Sequence, residues 1–71
     1  MGKLIKSEMA GTLLEIKVKA GDSIKPGQEV AVLESMKMEV PLESKEAGQV
    51  KAVIKSVGDF LNEGETLIEL S

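Results

Sequence analysis

Glu29-Val30-Ala31-Val32-Leu33-Glu34-Ser35-Met36-Lys37-Met38-Glu39-Val40-Pro41-Leu42 is the stretch that decides how the chain folds. Aliphatic and β-branched residues crowd its two arms, Glu29 to Leu33 and Val40 to Leu42, and both arms read as β-strand. Between them Glu34-Ser35-Met36-Lys37-Met38-Glu39 sets one lysine between two methionines. Strands joined so closely run antiparallel, so the segment is a hairpin with Lys37 at its tip. A lysine placed there keeps its stem on a rigid base while the ammonium reaches into water. Pro41 cannot donate to a ladder, and its strand is therefore expected at a sheet edge or beside a bulge.

Working outward from the hairpin, the chain repeats itself. At an offset of 37 residues Ala10-Gly11 matches Ala47-Gly48, Gly21-Asp22 matches Gly58-Asp59, Gly27 matches Gly64 and Leu33 matches Leu70, with no gap. Conservative pairs Ile16/Val53, Ile24/Leu61 and Val30/Leu67 fall between them. The chain is thus a duplicated β-unit, with units at about residues 10–34 and 47–71 of a single domain spanning 1–71, packed about an approximate two-fold axis.

Each unit reads as strand, turn, connector, turn, strand. In the first, Leu14, Ile16 and Val18 alternate with Glu15, Lys17 and Lys19, the pattern of a strand with one wet face. Gly21-Asp22 and Pro26-Gly27 supply the turns, and Val30 to Leu33 the next strand. The second unit predicts a strand over Val50 to Val57, turns at Gly58-Asp59 and Asn62-Glu63-Gly64, and a strand over Thr66 to Leu70. Val50, Val53, Ile54 and Val57 do not alternate strictly, which a bulge or a strand passing between two sheets reconciles. If Gly11 and Gly48 need positive φ, a valine at either is expected to destabilise the domain. The symmetry mate of Lys37 falls at position 0 or 74, which puts the hairpin at one end and both termini at the other. Met1 to Ser7 is expected to pair as a strand along an edge.

Composition removes most alternatives. With 71 residues, no cysteine and no histidine, the domain has neither disulfides nor a thiolate or imidazole metal site. The same absence rules out Ser-His and Cys-His nucleophilic pairs, and so short a chain has little room for an enclosed substrate pocket. An enzyme is not expected. The net charge of −3, with lysines scattered and Phe60 the one aromatic residue, argues against nucleic acid. No apolar run has the length of a membrane span, and the N-terminus lacks a signal-like apolar core. A cytoplasmic monomer is the expectation.

Essentially the whole chain resembles the biotinyl and lipoyl attachment domains. Met9-Ala10-Gly11, Gly21-Asp22, Gly27, Met36-Lys37-Met38, Gly48, Gly58-Asp59 and Gly64 carry the resemblance. It implies an all-β fold, a flattened β-barrel or sandwich of two four-stranded antiparallel sheets with internal pseudo-two-fold symmetry. It further implies a biotin carboxyl carrier, with biotin joined covalently to Lys37 by biotin protein ligase and ATP. The biotin then takes up a carboxyl group at a biotin carboxylase site and gives it up at a carboxyltransferase site. Glu34, Ser35, Met36, Met38 and Glu39 become recognition residues around the attachment site. Ser35 stands where the family usually has alanine, and no proline precedes Gly11. Without a protruding-loop insertion or a Pro/Ala-rich linker, the chain looks like a small stand-alone member or an excised module.

Plain readings stand beside these. Lys37 is otherwise an ordinary exposed lysine, Met36 and Met38 a cover over the end of the core, and Glu34 and Glu39 solvated strand positions. Lysines 17, 19, 45, 51 and 55 read as a solvated face, and Asp22, Asp59, Pro26 and the glycines as structural. Two rival functions remain: lipoate on the same Lys37, through lipoate ligase and with dual modification conceivable, or an unmodified barrel-sandwich module. Methionine on both sides of the lysine favours biotin, since lipoyl tips usually read Asp-Lys-Ala.

Overall fold

The computed structural model describes residues 3–71, and Met1 and Gly2 of the expected edge strand lie outside them. Eight strands follow in order: β1 (Lys3–Lys6), β2 (Gly11–Ile16), β3 (Ser23–Ile24), β4 (Glu29–Ser35), β5 (Met38–Glu43), β6 (Gly48–Val53), β7 (Phe60–Leu61) and β8 (Thr66–Leu70). They form two four-stranded antiparallel sheets, ordered β1-β8-β6-β3 and β5-β4-β2-β7. Shifted by 37 residues, the second order becomes the first. This is the predicted fold, with its pseudo-two-fold axis.

Symmetry extends to individual hydrogen bonds. Gly21 N donates to Val50 O at 2.9 Å and Val50 N to Asp22 O at 2.8 Å; their mates are Gly58 N to Leu13 O and Leu13 N to Asp59 O, both 2.8 Å. Each Gly-Asp turn is thus tied to a strand of the other half, which locks the two units together. Asp22 Oδ2 accepts from Lys19 N at 3.0 Å and Asp59 Oδ2 from Ser56 N at 2.9 Å, closing the turns from within. Gly21 and Gly58 have φ of 97° and 98°, a left-handed backbone that disfavours any side chain.

Between the sheets lies a core of aliphatic side chains. Leu13, Val30, Leu33, Leu61, Leu67, Ile68 and Leu70 are its largest fully buried members. The pairs Val30/Leu67, Leu33/Leu70 and Ile24/Leu61 are all buried, as the repeat requires. Ser7 and Ser44, also 37 apart, are buried too, and their hydroxyls donate to the carbonyls of Met9 and Glu46. That satisfies groups whose burial without a partner is costly.

Three local expectations are corrected. Leu14 does not face the core: a bulge between Leu13 and Glu15 in the β2–β4 pairing turns Leu13 inward and leaves Leu14 partly exposed. Its counterpart, between Val50 and Ala52 in β6–β8, accounts for the broken alternation of the second unit. The strand there also stops at Val53, and Ile54 and Val57 are exposed. Finally, Gly11 and Gly48 are not at positive φ. A Cβ on Gly11 would lie 2.7 Å from the carbonyl oxygen of Glu34, so close approach of two backbones is what demands glycine. A Cβ on Gly48 would meet Leu70 at 3.4 Å, ordinary contact.

Candidate functional site

Strands β4 and β5 pair from Glu29↔Glu43 up to Glu34↔Glu39 and Ser35↔Met38, leaving only Met36 and Lys37 to make the turn. A two-residue connection matches the right-handed twist of its strands when both central residues take positive φ. Here Met36 has φ 53° and Lys37 φ 63°. Asn-Gly is the usual occupant of such a turn, and a non-glycine residue in that region costs about 1–2 kcal/mol. The hairpin ladder below the tip holds the backbone there. Strain of this kind concentrates where a site needs a particular side chain in a particular place.

Lys37 is exposed at the tip. Met36 is 91% exposed and Met38 65%, so neither covers the core. Met9, by contrast, packs against it. Among the described residues, ion pairs engage Lys3, Lys17, Lys45 and Lys55, and the Lys37 ammonium joins none. Glu34 and Glu39 are exposed and directly opposite one another, and Ser35 is half-buried at the closing pair. All six residues singled out from the sequence therefore meet at one end of one hairpin.

Gly11, read from the sequence as a structural glycine, also belongs to this assembly. Its missing side chain lets β2 pass against the Glu34 carbonyl, one residue below the closing pair. Identity of Gly11 with Gly48 signalled a structural role but not the different reason at each position.

Perturbed titrating groups lie away from the tip. Glu29 hydrogen-bonds Lys17 at 2.6 Å and holds its ammonium above the usual lysine range, with Glu15 adding a little. Glu29 opens β4, roughly 20 Å along the strand from Ser35 at about 3.4 Å per residue. In the turn before β8, the Asn62 amide and then Lys55, 3.0 Å away, hold the Glu65 carboxyl below the usual range. Among the described residues no group of three or more acidic residues is placed to bind a metal. What the site offers is an exposed amine on a fixed base.

Residues 2–70 match the family described as biotin-requiring enzymes, the biotin/lipoyl family. The biotin/lipoyl attachment protein of Bacillus subtilis (strain 168) is 57% identical over 67 residues, covering 94% of this chain and 92% of that protein. The mitochondrial propionyl-CoA carboxylase alpha chain of Homo sapiens is 39% identical over 67 residues, 94% of this chain but 9% of that one. The dihydrolipoyllysine-residue acetyltransferase component of the Azotobacter vinelandii pyruvate dehydrogenase complex is 45% identical over 60 residues, 84% of this chain and 9% of that one. In three dimensions the chain superposes on a single-chain, multi-domain long-chain acyl-CoA carboxylase with a TM-score of 0.89 and 26% identity, over 99% of this chain and 7% of that one. In the multidomain enzymes, then, the likeness is to one small module of a much longer chain.

Proposed function

This chain belongs to the biotin/lipoyl attachment family, and we propose that it is a biotin carboxyl carrier whose prosthetic group is joined to Lys37. The observation that carries this is the tip itself: a lysine in a two-residue positive-φ turn, unpaired among the described residues and framed by two exposed methionines. Nothing in the fold asks for those residue types there, and the turn would form more easily with Asn-Gly.

The residues present suit a covalently held group. Lys37 supplies the amine and a four-carbon stem, and the hairpin supplies a base that does not move with the arm. An ammonium is not a nucleophile, so the modifying enzyme must remove its proton and present a carboxyl activated by ATP. Amide formation then costs the carrier one positive charge, taking −3 to −4. Once bound, biotin supplies the ureido nitrogen that takes up and releases the carboxyl group. The carrier's own part is to raise that group's effective concentration at two sites, toward the millimolar range for short flexible links. Likeness to propionyl-CoA carboxylase and to an acyl-CoA carboxylase supports biotin carboxylase and carboxyltransferase partners.

A second reading has its own support. Similarity to a dihydrolipoyllysine-residue acetyltransferase component makes lipoate on the same lysine the alternative. Intact mass after incubation with biotin protein ligase, ATP and biotin decides, with Lys37→Arg alongside. A gain of one biotin on the wild type alone is expected. A gain only with lipoate ligase would move the protein to acyl transfer, and a gain with neither would leave a structural module.

A further inference from the structure

The register of the β5-β4-β2-β7 sheet lines up four residues in a row just below the tip. Glu39 is opposite Glu34, Glu34 opposite Thr12, and Thr12 opposite Phe60. Directly paired residues of antiparallel strands send their side chains to the same face. Leu13, Leu33 and Leu61, their neighbours along the strands, are buried, so this row faces outward. With strands about 4.8 Å apart, it spans about 14 Å. It lies one residue below the Ser35–Met38 pair that closes the turn.

Two features of the row are unfavourable to the isolated domain. Phe60, the one aromatic residue of the chain, is 59% exposed. Glu34 and Glu39 are like charges in direct opposition, an arrangement that destabilises a sheet, and among the described residues neither joins an ion pair.

At the symmetric positions neither Phe60 nor Glu34 is repeated. Thirty-seven residues away from Phe60, Thr12 and Glu34 stand Ser23, Gln49 and Ser71. Ser23 pairs with Gln49 in an equivalent two-residue strand, and Ser71 N donates to Gln49 O. The symmetric copy thus has a serine in place of Phe60 and a serine in place of Glu34, where the lysine end carries an aromatic ring and a carboxylate. A partner with cationic side chains around an apolar recess relieves both unfavourable features at once.

We propose that Phe60 anchors the face by which the enzyme that modifies Lys37 holds this protein, with Glu34 and Glu39 as its electrostatic part. The proposal rests on the reading of Lys37 as a modified residue. The modifying enzyme is the occupant because it alone must bring its active site to the lysine amine itself, within the footprint of the tip. Enzymes that use the loaded carrier meet the reactive group at the far end of the arm, away from the lysine amine.

Steady-state modification by biotin protein ligase, with ATP and biotin saturating and the carrier varied, tests this. Phe60→Ser, which installs the residue of the symmetric position, is expected to raise KM about tenfold at unchanged kcat, the loss typical of one aromatic anchor. Its unfolding midpoint should match the wild type. Ser23→Phe should leave KM unchanged. Glu34→Gln with Glu39→Gln should raise KM at low salt, and the difference should shrink as salt screens the pair. Phe60→Ser within twofold of the wild-type KM would overturn the proposal while leaving the carrier reading intact, and so would an equal effect from Ser23→Phe. A wild type that biotin ligase leaves untouched is assayed identically with lipoate ligase. Modification by neither overturns the carrier reading and this proposal with it.

Discussion

At the scale of single residues, Lys37 and Met36 hold a backbone conformation that their side chains do not favour. Met36→Gly should therefore stabilise the unmodified protein by up to about 1 kcal/mol, read as a rise in thermal midpoint, because glycine adopts positive φ freely. Lys37→Arg should change stability by less than about 0.5 kcal/mol, since an exposed tip side chain has little to lose. It should abolish modification, measured by intact mass. Glu65 gives a pH dependence of known sign. A carboxyl held low in the folded chain stays charged where the unfolded chain's has taken up a proton. Its contribution is complete above the unfolded value of about 4.3 and fades as pH falls through the lower folded one. Glu65→Gln should accordingly flatten the acid limb of stability against pH, measured by denaturant unfolding from neutrality downward. Lys17 has the opposite sign, its contribution fading only as pH rises through its raised folded value. The lysine between two methionines was plain in the sequence. Its turn type was not, because neither methionine nor lysine announces a positive φ.

At the scale of elements, the strands were legible where glycines and repeated aliphatics punctuate the chain, and illegible where register decides. The bulge after Leu13 inverts the expected phase of Leu14, and no periodicity within one strand reveals a residue added relative to its partner. Gly11 makes the same point. Its identity is dictated by another strand 2.7 Å from an imagined Cβ. Gly11→Ala should destabilise the domain by about 1–3 kcal/mol through overpacking against the Glu34 carbonyl, whereas Gly48→Ala, meeting only the Leu70 side chain, should cost clearly less. Denaturant unfolding of the two variants side by side checks this. Equal losses would show that the two positions share one constraint after all. The placement of Phe60 in the row beside the tip was also not legible, because a two-residue strand leaves no pattern from which its alignment with Thr12 can be read.

At the scale of the molecule, duplication made the fold readable: a repeat of 37 residues without gaps leaves two equal units little choice but to pack symmetrically. One ion pair lies across that symmetry. Glu8 and Lys45 are each other's mates and meet at 3.3 Å. Both are largely exposed, so either single charge reversal should cost only a few tenths of a kcal/mol. Reversing both should restore the loss, because exchanging the two sides of a symmetric pair rebuilds it. A double-mutant cycle by urea unfolding measures that. The two-residue tip has a further consequence, for kinetics. Whichever enzyme grips Lys37 has no loop to freeze, only the torsions of one side chain, worth about 2 kcal/mol of rotamer freedom. So little ordering on capture lets the tip be gripped by modest contacts and released without unfolding anything, which suits the carrier role proposed for Lys37.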